Sequence, residues 1–135
     1  MNPLLDTLEL PRFADIRVDQ IEAALDKVIA DHQAVVRMLV DAKPRTFGEA
    51  WMPLERANAA IDGVWSAVSH LHGVADTPEL RAAFVAGQAR LVDNYLQVMQ
   101  NEALYDVLAA MTTTNDFAAH PDTDRAAVEH MLRDF

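Results

Sequence analysis

The sequence has no cysteine, few glycines and few prolines, and no apolar run long enough to cross a bilayer. Without cysteine there is no disulfide framework, no thiolate nucleophile and no Cys-based zinc knuckle, a composition suited to a reducing compartment. Positive charge is also scarce: 11 Lys and Arg stand against 21 Asp and Glu, giving a formal charge of −10 over 135 residues. Phosphate binding depends on clustered Lys and Arg that release counterions, and no basic stripe is present, so nucleic acid is excluded as a partner. The first ten residues carry acids where a secretory signal needs a basic segment followed by an apolar one, so a soluble, unexported, cytoplasmic protein is expected, with no membrane partner. What is present is ordinary for a folded domain: 51% hydrophobic and 24% charged residues, in a length that buries roughly two-thirds of its unfolded surface without a staple.

The apolar positions recur at three and four residues, with no alternating strand, internal repeat, low-complexity segment or Gly/Ser linker. The expected fold class is all-α: an antiparallel bundle of about five helices in a single domain, 1–135, with an extended N-terminal leader over 1–17. Leu4, Leu5, Leu8, Leu10 and Phe13 of the leader are expected to lie on a neighbouring surface. A first helix, about 18–41, carries the stripe Val18, Ile21, Leu25, Val28, His32, Val35, Val36 and Leu39. Pro44 stops it, and Thr46 with Glu49 forms a capping box for a second helix, about 46–75, whose stripe runs from Trp51 and Leu54 through Val64, Trp65 and Val68 to Ala75, with a kink expected near Met52 ahead of Pro53. Thr77 as N-cap and Pro78 in the first turn open a third helix to about residue 100, on which Leu80, Phe84, Gly87, Leu91, Tyr95 and Val98 face inward. Gly87 costs its helix about 1 kcal/mol relative to Ala, which a close helix–helix approach would offset. A fourth helix, about 102–112, is followed by a polar loop from Thr112 to His120 and a fifth helix, about 121–135, with Val128, Met131, Leu132 and Phe135 on one face. That last helix has no Gly or Pro stop, and its apolar face reads as unspent; the chain is expected to be cut from a longer one and to self-associate in solution.

The residues with chemical capacity do not assemble into a motif. His70 and His72 are two helical steps apart, about 200° around the axis, and so cannot share a metal on an intact helix. His72 and Asp76 can share a face, but two ligands near a helix end make a weak site. His32 sits on an apolar stripe, where a hydrogen-bonded core role outweighs catalysis. Asp15, Asp19, Glu22 and Asp26 form a line of acid that reads either as a solvated face or as a strip for a basic peptide or divalent ion. Ser66 and Ser69 lack a nucleophile context, and Trp51, Trp65, Phe84 and Tyr95 fit core stripes before a ligand cage. No His-Glu-x-x-His, Glu-x-x-His, P-loop or EF-hand spacing occurs. The expected catalytic, cofactor-binding and metal residues are therefore none.

Several short segments together carry a family likeness: Asn2-Pro3-Leu4-Leu5, Leu10-Pro11 before Phe13, Pro53-Leu54, Val68-Ser69-His70-Leu71, Thr77-Pro78-Glu79-Leu80-Arg81, Leu104-Tyr105 and Leu132-Arg133-Asp134-Phe135. In order and spacing, the whole chain resembles the amino-terminal region of the thimet-oligopeptidase-like zinc metallopeptidases, in their oligopeptidase A branch. The resemblance implies an almost wholly helical fold of two halves flanking a deep channel, with the amino-terminal helices in its wall. It also implies a cytosolic parent enzyme that hydrolyses short peptides by a zinc-polarised water, the Glu of its zinc motif acting as base. The zinc motif of that family lies far downstream of the region matched, so no catalytic or metal residue carries over, zinc belongs to the parent, and this chain alone is expected to be an inactive scaffold. Its partners are then the remainder of the parent and, through it, short peptides. A free-standing acidic helical interaction module is the alternative.

Overall fold

A computed structural model describes residues 1–6 and 10–135; the place expected for Leu8 in the leader lies outside the described residues. Among the described residues there are six α-helices and no strand: α1 (Ile21–Ala42), α2 (Phe47–Val74), α3 (Pro78–Met99), α4 (Glu102–Met111), α5 (Asn115–Ala118) and α6 (Asp122–Asp134). The architecture is an all-α antiparallel bundle, in which short connections turn each long helix back on the one before. None of these helices is long and apolar enough to cross a membrane.

Local capping sets most of the boundaries. Thr77 Oγ1 accepts from the Leu80 N–H at 3.1 Å, Asn101 Oδ1 from Leu104 at 3.0 Å, and Thr46 Oγ1 from Glu49 at 3.3 Å. Each satisfies an N–H that the first helical turn leaves without an intrahelical partner. At Thr46 the motif closes differently from the expected box, because the Thr hydroxyl donates to the Glu49 carboxylate at 3.1 Å. α1 starts at Ile21 and not Val18: residues Val18–Gln20 form a 3₁₀ turn, with Gln20 Oε1 folded back to accept the Arg17 N–H at 2.9 Å. α1 ends at Ala42, followed by Lys43, whose φ of 50° places it in the left-handed region while its N–H reaches the Leu39 carbonyl at 2.9 Å. α2 passes through Pro53 as a continuous helix. The segment expected as a loop from Thr112 to His120 contains α5, opened by Thr114 Oγ1, which accepts from the Phe117 N–H at 3.2 Å.

The chain forms two compact units, Met1–Asp31 with Ala57–Asn94, and His32–Arg56 with Tyr95–Phe135, so that α1, α2 and α3 each lend a segment to both. In the first unit Ile21, Ala24, Leu25, Val28 and Ile29 of α1 are buried with Val64, Ala67 and Val68 of α2 and Leu80 of α3. The i, i+3, i+4, i+7, i+8 spacing on α1 is the apolar face of a helix seated on a core. Leu4 is buried here and Leu5 and Ile16 pack against it, so the start of the leader is pinned, helped by the Asn2 side chain, which donates to the Gln20 carbonyl at 2.8 Å. Leu10 departs from expectation: it is 90% exposed.

In the second unit Val36 and Leu39 of α1, Phe47, Ala50, Trp51 and Leu54 of α2, and Val98 of α3 surround Leu104, Leu108 and Met111 of α4, with Phe117 and Val128 from α5 and α6. The apolar face of α6 is therefore spent, contrary to the sequence reading. Val128 is fully buried, Met131, Leu132 and Phe135 pack on the core, and Phe135 meets Tyr105 edge-on at 5.6 Å. The face looked unspent because its partners on α1, α2 and α4 lie far away in sequence.

Candidate functional site

Along α2 and the leader, the structure separates the histidines that sequence spacing had brought to attention. The His70 ring meets Phe13 at 4.7 Å, whereas His72 stacks on Phe84 of α3 at 4.1 Å and 11°. His72 Nε2 lies 3.9 Å from Asp76, whose carboxylate also receives Arg81 at 3.0 Å. Asp76 is thus bound into the α2–α3 turn next to the Thr77 cap. Phe84 in turn stacks on Trp65 at 4.9 Å, and His72, Phe84 and Trp65 form a continuous aromatic row. The row rests beside Gly87, where a Cβ would meet Leu25 Cδ1 at 2.8 Å and Trp65 Cζ3 at 2.9 Å. Gly87 therefore permits the close approach of α3 to α1 and α2 that its mid-helix position implied.

The line of acid is largely paired. Asp15 lies 3.6 Å from Arg12, Asp19 receives Arg17 at 3.2 Å, and Asp26 binds Arg90 of α3; Glu22 is exposed in the first turn of α1. Acids already neutralised by arginines leave little charge for a basic peptide or a divalent ion. His32 is buried and partnered. Trp51 is a core residue as expected, but Tyr95 is 54% exposed, and Ser66 Oγ donates to the Gly63 carbonyl at 3.3 Å.

A cluster that sequence reasoning missed joins the start of α2 to α5 and α6. Asp116 Oδ2 accepts the Phe47 N–H at 2.8 Å, placing a carboxylate at the positive end of α2 across 69 residues of sequence. His120 stacks on Phe47 at 4.2 Å, with Asp116 3.8 Å and Asp124 3.6 Å from its two ring nitrogens. The only sequence signal was the spacing of Asp116, His120 and Asp124 at four residues each, which places them near one another without revealing Phe47. The arrangement ties three helices together, and its polar atoms are committed to that task.

A concavity of about 330 Å³ lies in the first unit, where Pro3, Leu4, Pro11 and Ile16 face Ala59 and Ala67 of α2. Asp6, Gly63 and Ser66 complete it. An aspartate and a serine hydroxyl already donating to a carbonyl make neither a nucleophile–base pair nor a ligand set. Among the described residues no group of three or more His, Asp or Glu side chains is arranged to hold a metal ion.

A second feature absent from the sequence reading is the outer face of α3. Its inner row, Leu80, Phe84, Gly87 and Leu91, packs as expected, but Val85 and Val92 on the other side are 60% and 50% exposed. Ala82, Ala86, Gln88 and Ala89 are exposed beside them, with Arg81 and Asp93 exposed at the two ends of the row.

Comparison with known proteins supplies what the side chains do not. The N-terminal domain of the neurolysin/thimet oligopeptidase family matches residues 20–135. Oligopeptidase A of Haemophilus influenzae is 31% identical over 134 residues, covering 99% of this chain and 20% of the relative. Oligopeptidase A of Salmonella typhimurium gives 31% over 135 residues with the same coverages, and the probable cytosolic oligopeptidase A of Arabidopsis thaliana gives 26% over 133 residues, covering 98% of this chain and 19% of the relative. The chain spans about a fifth of the length of these relatives. With the family match running from the first helix to the last, and the likeness to oligopeptidase A covering nearly every residue, this chain belongs to the neurolysin/thimet oligopeptidase family, as its N-terminal domain.

Proposed function

We propose that the chain serves as the non-catalytic, helical N-terminal domain of an oligopeptidase A-like zinc metallopeptidase of the cytosol, forming part of the wall of the channel that admits short peptides. The observation that carries this reading is likeness to oligopeptidase A over 99% of the chain, against only 20% of the relative. A chain with that share of the whole contributes shape more readily than chemistry, and its side chains agree. The imidazoles of His70, His72 and His120 each lie against a phenylalanine ring; Asp76 beside His72 binds Arg81, and Asp116 beside His120 accepts the Phe47 N–H. This donor set does not fit a zinc ion, which needs three converging protein ligands and an open position for water. Zinc and the base that activates its water accordingly belong to the rest of the enzyme.

The paired acids speak against a free-standing acidic docking module, because Asp15, Asp19 and Asp26 are bound by Arg12, Arg17 and Arg90. The test is to express both the 135-residue chain and the whole polypeptide encoded by its gene, and to assay each on short peptides with and without a chelator. Hydrolysis by the whole polypeptide, abolished by chelator, with none by the 135-residue chain, is expected. Chelator-sensitive cleavage by the 135-residue chain alone would overturn the scaffold role.

A further inference from the structure

The methionines are unevenly placed. Of the six in the chain, only Met1 belongs to the first unit, while Met38, Met52, Met99, Met111 and Met131 belong to the second. The core of the first unit is made of Leu, Ile, Val and Ala side chains with Trp65 and Phe84 packed on them, whereas that of the second draws one thioether from each of four helices. Met111 of α4 is fully buried there, and Met52 of α2, Met99 of α3 and Met131 of α6 are half-buried and pack against the same cluster.

Methionine suits such a place because its unbranched, polarisable side chain adapts to irregular gaps. The same thioether is also a target for two-electron oxidation, and in these 135 residues no cysteine competes with it. A sulfur lone pair attacks one oxygen of a hydroperoxide, forming an S–O bond as the O–O bond breaks. The proton on the transferred oxygen passes to the departing one, which leaves as water or an alcohol. Sulfur is oxidised by two electrons and the peroxide is reduced by two. The resulting sulfoxide is polar, and turning it toward the Leu, Val and Ala side chains of this cluster strips water from an acceptor that they cannot satisfy. Turning it outward empties the space that the methionine filled. Packing is lost either way.

We propose that Met52, Met99 and Met131 are sites of reversible oxidation by hydroperoxides, and that their conversion loosens the second unit while leaving the first intact. The first unit is spared because its core contains no thioether. Reversibility follows from the sulfoxide itself, which methionine sulfoxide reductases return to the thioether. The inference does not rest on the reading of the chain as part of a peptidase, since it concerns only what the two cores are made of.

The test uses the whole polypeptide encoded by the gene, treated with graded hydrogen peroxide. Mass spectrometry of its peptides counts the oxygen gained at each methionine, and amide hydrogen exchange on the same samples reads the opening of each unit. Met52, Met99 and Met131 are expected each to gain one oxygen. Exchange in peptides from α4 and α6 should then quicken at least about tenfold, the scale of a buried polar atom left unsatisfied, with no change over residues 64–84 of the first unit. Reductases acting on both sulfoxide epimers should restore slow exchange. A polypeptide carrying Met52→Leu, Met99→Leu and Met131→Leu, swaps that conserve volume, should keep slow exchange under the same peroxide. Failure of the three residues to gain oxygen, at a dose that fully converts a free methionyl peptide in the same tube, would overturn the proposal. So would their oxidation with unchanged exchange in α4 and α6, equal quickening over residues 64–84, or equal quickening in the leucine-substituted polypeptide.

Discussion

Gly87 and Gly63 lie inside long helices, and the same substitution at each should have opposite consequences. Replacing a helical glycine by alanine removes backbone freedom from the unfolded chain and is worth about 1 kcal/mol where the new methyl is unopposed. At Gly63 a Cβ has nothing within 4 Å, so Gly63→Ala should gain that amount in full. At Gly87 the methyl would lie 2.8 Å from Leu25 Cδ1 and 2.9 Å from Trp65 Cζ3. Leu25 is fully buried, and Trp65 is held in a stack with Phe84, so neither yields without disturbing the core of the first unit. Overpacking of this kind costs about 1–3 kcal/mol, which cancels or exceeds the helix gain. Gly87→Ala should therefore fall about 1–3 kcal/mol below Gly63→Ala in stability, the overpacking cost alone, because the helix term is common to both. Urea unfolding followed by circular dichroism gives both values. In thermal melts each kcal/mol corresponds to roughly 4 °C for a chain of this size. An equal rise in the two variants would refute the idea that α3 approaches its neighbours closely only because residue 87 lacks a side chain.

Two further substitutions examine the caps. Thr77→Ala should cost about 1 kcal/mol by stripping the Leu80 N–H of its acceptor, and Thr77→Ser should restore most of it; an unchanged denaturation midpoint for Thr77→Ala would remove the cap as a cause of α3's start. Asp116→Ala should cost about 1–2 kcal/mol, because the Phe47 N–H at the head of α2 loses its acceptor. Asp116→Asn, which keeps a carbonyl oxygen in place, should lose less than half as much in the same unfolding measurement, and equal losses would mean that charge, not the hydrogen bond, is what Asp116 supplies.

How much was legible in the sequence depended on how far apart the interacting groups are along the chain. The caps at Thr46 and Thr77 act over three residues, so sequence spacing located them, and with them the starts of α2 and α3. The core stripe of α1 was readable because its outer face is charged, which leaves a single apolar side. On α3 the same reasoning was incomplete. Apolar residues on both sides satisfy the helical period equally well, so Tyr95 was assigned inward, and the row of Val85 and Val92 went unnoticed.

Sequence alone determined the helical class, most of the breaks between the long helices and the family likeness, because each depends on local propensity, short-range hydrogen bonding or ordered short motifs. Only the tertiary structure decided what covers each apolar face. It showed α6 spent against α1, α2 and α4, Gly87 admitting Leu25 and Trp65, and Asp116 reaching Phe47 across 69 residues. Periodicity says that a helix has an apolar side, but which partner fills it is set by contacts between residues remote in the chain, and one helical pattern is compatible with many of these.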